Sequence, residues 1–208
     1  MIYWISMIIF WIGMLFFPTR VIGKKNLNKG KCIWAANHTT NLDVLIIGTK
    51  AFTRFYALGK AELFKHKLMG GYLKRLGCIK VKRGQADIEA IKQCLRILKD
   101  KQKPLLIFPS GTRESSAEEV QNLKNGVAMF ALKANCPIIP IVLVRKPMFL
   151  RPNRLVIGEP IDISQYQGQK QSKEVYDEIN AKLTKSMEDM IATYGYKKKE
   201  KKHKKEVK

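Results

Sequence analysis

Residues 32–193 alternate between short apolar runs and longer amphipathic runs, and this alternation restricts the possible fold more than any other feature of the chain. Short apolar runs bounded by turn residues are typical of strands, whereas apolar residues at three-to-four spacing are typical of helices. Strands that alternate with helices predict an α/β layered domain. The predicted strands cover residues 32–36, 54–58, 78–81, 105–108, 138–144 and 154–157. The predicted helices cover residues 42–50, 61–75, 86–99, 123–134 and 172–193.

The first 18 residues contain no charged side chain. A run that is apolar on every side is typical of a buried core helix or of a membrane segment. The 17 residues before Pro18 lie at the lower limit for crossing a bilayer, which takes about 20. Tyr3, Trp4 and Trp11 suit a membrane–water interface, and the basic residues that follow indicate the cytosolic side. We therefore expect residues 1–20 to anchor the protein at the cytoplasmic face of the cell membrane, either across the bilayer or in one leaflet.

The formal net charge of +22 over 208 residues indicates an anionic partner, which is either nucleic acid or an acidic membrane surface. Residues 197–208 contribute eight lysines and two glutamates, and we expect them to form a disordered tail. The tail is either a solvated arm or a segment attracted to anionic lipid. A nucleic-acid module would show aromatic stacking positions among its basic residues or a helix–turn–helix pattern. The hydrophobic N terminus instead favours a membrane surface, and we expect no nucleic-acid partner.

Residues 21–196 contain no linker long enough to divide them, so we expect one domain between the N-terminal segment and the tail. The four cysteines are scattered without any Cys-x-x-Cys spacing. A zinc site or a disulfide framework is therefore not indicated, and a reducing compartment fits this cysteine usage best.

His38 and Asp43 lie five positions apart in a segment of turn and cap formers directly ahead of a predicted helix. Histidine suits a general base because its pKa lies near neutrality, and a carboxylate can fix its tautomer and stabilise the imidazolium. Along an extended strand the two residues would be roughly 16 Å apart, whereas a loop that turns into a helix brings them together. Taken alone, this spacing is more often a capping aspartate beside a hydrogen-bonded histidine.

Four further segments follow this pair: KAELF (60–64), GCIKVKRG (77–84), FPSGTR (108–113) and PIIPI (137–141). In order and spacing they resemble the successive motifs of the 1-acylglycerol-3-phosphate acyltransferases, also called lysophosphatidic acid acyltransferases. This group is part of the glycerophospholipid acyltransferase family with the His-x4-Asp motif. KNGVA (124–128) also resembles the Lys-x-Gly helix start of this family. The resemblance covers roughly residues 21–160 and implies a central mixed sheet flanked by helices.

The resemblance also implies roles for individual residues. His38 would be the general base and Asp43 its orienting partner. A guanidinium matches phosphate oxygens well, and a glycine lets the backbone approach a ligand closely. The residues implied to bind the phosphate of the acyl acceptor are Arg83, Gly111, Thr112 and Arg113. No enzyme nucleophile, metal or cofactor is implied, because the lipid hydroxyl would attack the acyl thioester directly.

The activity that the resemblance implies is acyl transfer to the sn-2 hydroxyl of 1-acyl-glycerol-3-phosphate, giving phosphatidic acid. The acyl donor would be a thioester of acyl carrier protein or of coenzyme A, or an acyl phosphate in its place, and the sequence leaves this choice and the chain length open. Ser110 stands where the family usually has glutamate, so another lysophospholipid or glycerol-phosphate acceptor also stays open. A non-catalytic lipid-binding member is the remaining alternative, and the intact His38–Asp43 pair speaks against it.

Overall fold

The computed structural model describes residues 2–82, 87–109 and 117–196. Its strands are β1 (Thr19–Ile22), β2 (Ile33–Ala36), β3 (Tyr56–Lys60), β4 (Cys78–Val81), β5 (Leu105–Ile107), β6 (Ile138–Leu143) and β7 (Asn153–Ile157). Its α-helices are α1 (Ile2–Gly13), α2 (Leu42–Ala51), α3 (Lys67–Leu76), α4 (Ile88–Lys99), α5 (Ala117–Ala134) and α6 (Lys173–Tyr194). The predicted lysine-rich tail, residues 197–208, lies outside the described residues.

The seven strands form one sheet in the order β1-β7-β6-β2-β5-β3-β4. All neighbouring strands are parallel except β6 and β7, which are antiparallel. The predicted α/β fold with a central mixed sheet flanked by helices is therefore confirmed. We call the edge at which β2 to β6 end the carboxyl edge. Because β1 and β7 run in the opposite direction, their first residues lie at this edge.

Helices cover both faces of the sheet and divide the core in two. In β2, Ile33 and Ala35 face the core beneath α4, α5 and α6, whereas Trp34 and Ala36 face the core beneath α2. All four side chains are buried. A parallel strand that is buried on both faces has no polar face, which explains why the central strands are continuous apolar runs in the sequence.

Two predicted helices differ from the structure by more than a shift of one or two residues at their ends. The predicted helix at 61–75 is a 3₁₀ turn, Ala61–Phe64, followed by α3 after an extended residue at His66. The turn folds back so closely that a Cβ on Gly70 would lie 3.0 Å from the carbonyl oxygen of Phe64. The helix predicted from residue 123 begins earlier, at Ala117. The prediction missed its first residues because polar side chains at 118, 119, 121 and 122 obscure the apolar periodicity.

The sequence analysis missed β1, which takes in residues 19 and 20 of the segment predicted as an anchor. Among the described strands, β1 pairs only with β7, and Thr19 lies opposite Asn153. An edge strand of four residues that is only partly buried carries a weak apolar pattern, and Arg20 is exposed within it. The sheet therefore begins inside the N-terminal segment.

Helix α1 packs one face against the domain and exposes the other. Tyr3, Ser6 and Met7 are buried, and the Tyr3 hydroxyl donates to the carbonyl oxygen of Thr53 at 2.6 Å. The Tyr72 hydroxyl on α3 donates to Ser6 Oγ at 2.8 Å. Over the described residues, every helix falls short of the length or the hydropathy that crossing a bilayer requires.

Candidate active site

His38 and Asp43 contact each other at the carboxyl edge. His38 lies two residues after β2, and Asp43 is the second residue of α2. His38 Nδ1 and Asp43 Oδ2 are 3.0 Å apart. The Asp43 side chain is 0% exposed and that of His38 is 17% exposed. The loop that turns into a helix therefore brings the two side chains together, as the sequence predicts.

The Asp43 carboxylate accepts five hydrogen bonds from three consecutive residues. Oδ2 accepts from His38 Nδ1 and from the N–H groups of Thr39 at 2.5 Å and Thr40 at 2.7 Å. Oδ1 accepts from the hydroxyl groups of Thr39 at 3.0 Å and Thr40 at 3.1 Å. Burial raises the pKa of Asp43, but these hydrogen bonds, led by that from His38, outweigh it and hold the pKa below its usual value. The carboxylate is therefore ionised at neutral pH.

The ionised carboxylate determines which His38 nitrogen carries the proton. A carboxylate only accepts hydrogen bonds, so Nδ1 must be the donor to Asp43. In the neutral ring, Nε2 is then unprotonated and is the basic atom. The Phe108 ring, which follows β5, stacks on the imidazole at a centroid distance of 4.3 Å. The ring is thus held at one edge by Asp43 and on one face by Phe108.

Asn37 fixes the start of this loop to β6. Its side-chain amide donates to the carbonyl oxygen of Leu143 at 2.9 Å, and its side-chain oxygen accepts from the Leu143 N–H at 2.8 Å. Its own N–H donates to the carbonyl oxygen of Ile141 at 3.3 Å. The side chain thus continues the pairing between β2 and β6 beyond the end of β2. This pairing sets the direction in which the next residue, His38, leaves the sheet.

The sequence analysis treated Asn37, Thr39 and Thr40 only as turn and cap formers and assigned them no part in the site. The available signal was that Thr39 and Thr40 lie between a histidine and an aspartate and can each donate two hydrogen bonds. The other residues predicted for the site lie outside the described residues: Arg83, Gly111, Thr112 and Arg113. Ser110, which replaces the glutamate usual in the family, also lies outside them.

An exposed apolar surface also reaches the carboxyl edge. Phe16, just before β1, stacks on Phe149 with their ring centroids 5.7 Å apart. The N–H of Leu150, in the connection between β6 and β7, donates to the Phe16 carbonyl oxygen at 2.7 Å. The members of this apolar surface are between 44% and 65% exposed: Trp4, Ile5, Ile8, Ile9, Trp11, Ile12, Leu15, Phe16, Phe149 and Leu150. The first eight belong to α1 or to the turn that follows it.

Comparison with known proteins gives three findings. The family model described as Acyltransferase matches residues 18–144. A 1-acyl-sn-glycerol-3-phosphate acyltransferase of Bacillus subtilis is 32% identical over 150 residues, which cover 68% of this chain and 73% of the relative. One from Streptococcus pneumoniae is 30% identical over 116 residues, covering 53% of this chain and 42% of the relative. This chain therefore spans less than half of the second relative's length.

The fold also resembles a solved structure. The crystal structure of the 1-acyl-sn-glycerophosphate (LPA) acyltransferase PlsC from Thermotoga maritima superposes with a TM-score of 0.67 at 22% identity. The superposition covers 93% of this chain and 80% of the other. The shared fold therefore includes the sheet and the helices on both of its faces.

Proposed function

The chain belongs to the acyltransferase family, and we propose that it transfers a fatty acyl group from an acyl thioester to the sn-2 hydroxyl of 1-acyl-glycerol-3-phosphate. The product is phosphatidic acid, an intermediate of phospholipid biosynthesis. The observation that carries this proposal is the 3.0 Å contact between His38 and the buried carboxylate of Asp43. This contact supplies an oriented base at an edge of the sheet where a substrate can bind.

In the proposed reaction, the lipid hydroxyl attacks the carbonyl carbon of the thioester while His38 Nε2 takes the hydroxyl proton. The carbon–sulfur bond then breaks, and the leaving thiolate takes that proton from the imidazolium. Asp43 keeps Nδ1 protonated and stabilises the positive charge that forms on the ring. Because the substrate hydroxyl is itself the nucleophile, the reaction needs no covalent enzyme intermediate, metal or cofactor.

The four cysteines are poorly suited to form a covalent acyl-enzyme, which is compatible with direct attack by the lipid hydroxyl. Cys78 lies in one of the motif segments, and burial raises the pKa of its thiol to about 11. Burial also raises the thiol pKa of Cys32, Cys94 and Cys136 to about 12. A thiol needs a lowered pKa to act as a nucleophile at neutral pH. These four residues therefore suit packing and not catalysis.

Arg83 is proposed to bind the acceptor phosphate, assisted by Gly111, Thr112 and Arg113. This assignment rests on the family motifs, because these residues lie outside the described residues. It is supported by their order in the chain. Arg83 follows β4 by two residues and Gly111 follows β5 by four, and both strands end at the carboxyl edge. Ligands of open α/β sheets bind at this edge.

The apolar surface is proposed to dock onto the cytoplasmic face of an anionic cell membrane. An exposed apolar patch of this extent indicates a protein or a membrane partner. The net charge of +22 adds attraction to anionic lipid, and Trp4 and Trp11 suit the interface. Phe16 and Phe149 place part of this surface at the same edge of the sheet as His38. A lipid acceptor would then reach the base from the bilayer.

The acyl donor is proposed to be a thioester of acyl carrier protein or of coenzyme A. Another lysophospholipid is the alternative acceptor, because Ser110 stands in place of the glutamate usual in the family. The assay therefore varies both the donor and the acceptor.

The test is an assay of the purified full-length protein with lysophosphatidate and each labelled donor, beside His38→Ala. We expect phosphatidate from the native protein and a loss of roughly 10²- to 10⁴-fold in the variant, the usual contribution of a general base. The matched control is His66→Ala, since His66 is an exposed histidine just before α3. Unchanged turnover in His38→Ala would refute His38 as the general base. Turnover only with other lysophospholipids would refute lysophosphatidate as the acceptor. No turnover with any acceptor would favour a non-catalytic lipid binder.

A further inference from the structure

A second candidate site lies beside the apolar surface. A cavity of about 470 Å³ is bounded by the end of α1, the last turn of α2 and the first residues of β1 and β7. Its lining combines the apolar Trp11, Met14 and Leu15 with two cationic side chains, Arg20 and Lys50. None of the residues from 37 to 43 lines it, so it is separate from the candidate active site.

Within the described residues, no carboxylate neutralises the positive charge of this cavity. No acidic side chain lines it among the described residues. Over residues 2–82, 87–109 and 117–196, the ion pairs are those of His38 with Asp43 and of Lys182 with Glu178. A single exposed lysine needs no explanation, but two cations that form no ion pair within these ranges come from distant parts of the chain to line one cavity. Such a site suits a bound anion.

The cavity is continuous with the apolar surface. Trp11 and Leu15 line it and also belong to that surface, with 47% and 60% of their area exposed. A ligand bound at the two cations would thus have apolar side chains next to it that face the proposed membrane. A phospholipid has this arrangement of chemistry, with a phosphate at one end and acyl chains at the other.

We propose that this cavity binds the headgroup phosphate of an anionic diacyl phospholipid of the bilayer. Arg20 and Lys50 contact the phosphate oxygens, and Trp11 and Leu15 contact the lipid next to the phosphate. This inference rests on the membrane docking proposed above. The cavity would be a second lipid site, which binds a bilayer lipid and not the acyl acceptor. This site makes membrane docking selective for anionic lipid.

The test uses the full chain carrying Trp4→Phe, so that Trp11 is the exposed tryptophan while Trp34 stays fully buried. Quenching of Trp11 is titrated with phosphatidylcholine vesicles that contain phosphatidylglycerol brominated in its acyl chains. The parent is compared with Arg20→Gln/Lys50→Gln and with the matched pair Lys92→Gln/Lys99→Gln. Lys92 and Lys99 are exposed on α4, on the opposite face of the sheet, and their replacement removes the same charge. Arg20→Lys/Lys50→Arg keeps both charges in place.

We expect the cavity pair to weaken vesicle binding roughly 30-fold, since each cation near an anionic surface contributes on the order of a fivefold factor. The α4 pair is expected to change it by about twofold at most, because charges distant from the surface are screened. The charge-keeping variant is expected to bind as the parent does. Inorganic phosphate at constant ionic strength is expected not to compete, because it lacks the part of the lipid that contacts Trp11 and Leu15, and competition would overturn the phospholipid in favour of free phosphate. Equal losses in the two glutamine pairs, or equal binding by the cavity pair and the parent, would overturn the site alone. Absence of vesicle binding by the parent would also overturn the membrane docking, while leaving the acyl transfer reaction untouched.

Discussion

The loop from Asn37 to Asp43 and the exposed face of α1 both belong to the helical layer on one side of the sheet, and they differ in how their side chains are satisfied. In the loop, five hydrogen bonds converge on one buried carboxylate, and every donor comes from His38, Thr39 or Thr40. On α1, large apolar side chains such as Ile5 and Ile9 are more than half exposed.

Folding alone supplies the hydrogen-bond partners of the loop, whereas the exposed face of α1 is covered only when a partner binds. A carboxylate with all its acceptor sites filled gains nothing from a further partner, so the loop is preorganised before any substrate binds. Exposed apolar side chains keep an unfavourable contact with water until another surface covers them. Substitutions of the hydrogen-bonded residues of the loop are therefore expected to change chemistry or stability, whereas substitutions on the exposed face of α1 are expected to change docking alone.

The largest expected effect comes from Asp43→Asn. An amide cannot accept all five hydrogen bonds and does not stabilise an imidazolium as a carboxylate does, and it can leave His38 in the wrong tautomer. We expect kcat to fall by about 10³- to 10⁴-fold, with a smaller change in KM. Steady-state kinetics of the folded variant measure this. Asp100→Asn, at an exposed aspartate after α4, is the control and should retain native kcat. A native kcat in Asp43→Asn would mean that the carboxylate only holds the loop.

The next effect concerns docking. Ile5→Asn/Ile9→Asn changes two neighbouring positions on the exposed face of α1, which are 52% and 61% exposed. We expect partition onto anionic vesicles to fall about 30-fold, because each isoleucine loses on the order of 1 kcal/mol of transfer free energy. The free energy of unfolding in solution is expected to stay native.

Vesicle sedimentation measures this partition, and Ile88→Asn is its control. Ile88 is 64% exposed at the start of α4, on the opposite face of the sheet. If Ile88→Asn lowers partition as much as the α1 pair does, the apolar surface is not the docking face. If the α1 pair lowers the free energy of unfolding and Ile88→Asn does not, the exposed side chains of α1 also stabilise the fold.

The contrast between local and distant contacts also explains what the sequence could predict. His38 and Asp43 are five residues apart, so a loop followed by a helix start was enough to predict their contact. The central strands are buried on both faces, and their unbroken apolar runs in the sequence predict this burial. The bond from Asn37 to Leu143 joins residues 106 positions apart, and no local pattern reports it. The pairing of β1 with β7 joins residues that are even further apart in the chain, and β1 has too few buried residues to be recognised alone.

The last and smallest expected effect is on stability, and it comes from removing the bond between Asn37 and Leu143. Asn37→Ala leaves both the N–H and the carbonyl group of Leu143 without their side-chain partner. Unpaired buried polar groups cost about 1 to 3 kcal/mol, so we expect the free energy of unfolding to fall by that amount in urea titrations with an unchanged slope. Turnover is also expected to fall, since Asn37 directs the chain that carries His38.

Asn41→Ala is the matched control for that substitution. Asn41 lies four residues further along the same loop, is exposed, and makes no side-chain capping hydrogen bond at the start of α2. We expect its free energy of unfolding to change by about 0.5 kcal/mol or less. If the two variants lose equal stability, the loop depends on the turn preference of asparagine, not on the attachment of Asn37 to β6. A loss confined to Asn37→Ala would show that β6, more than 100 residues away, holds the base in position.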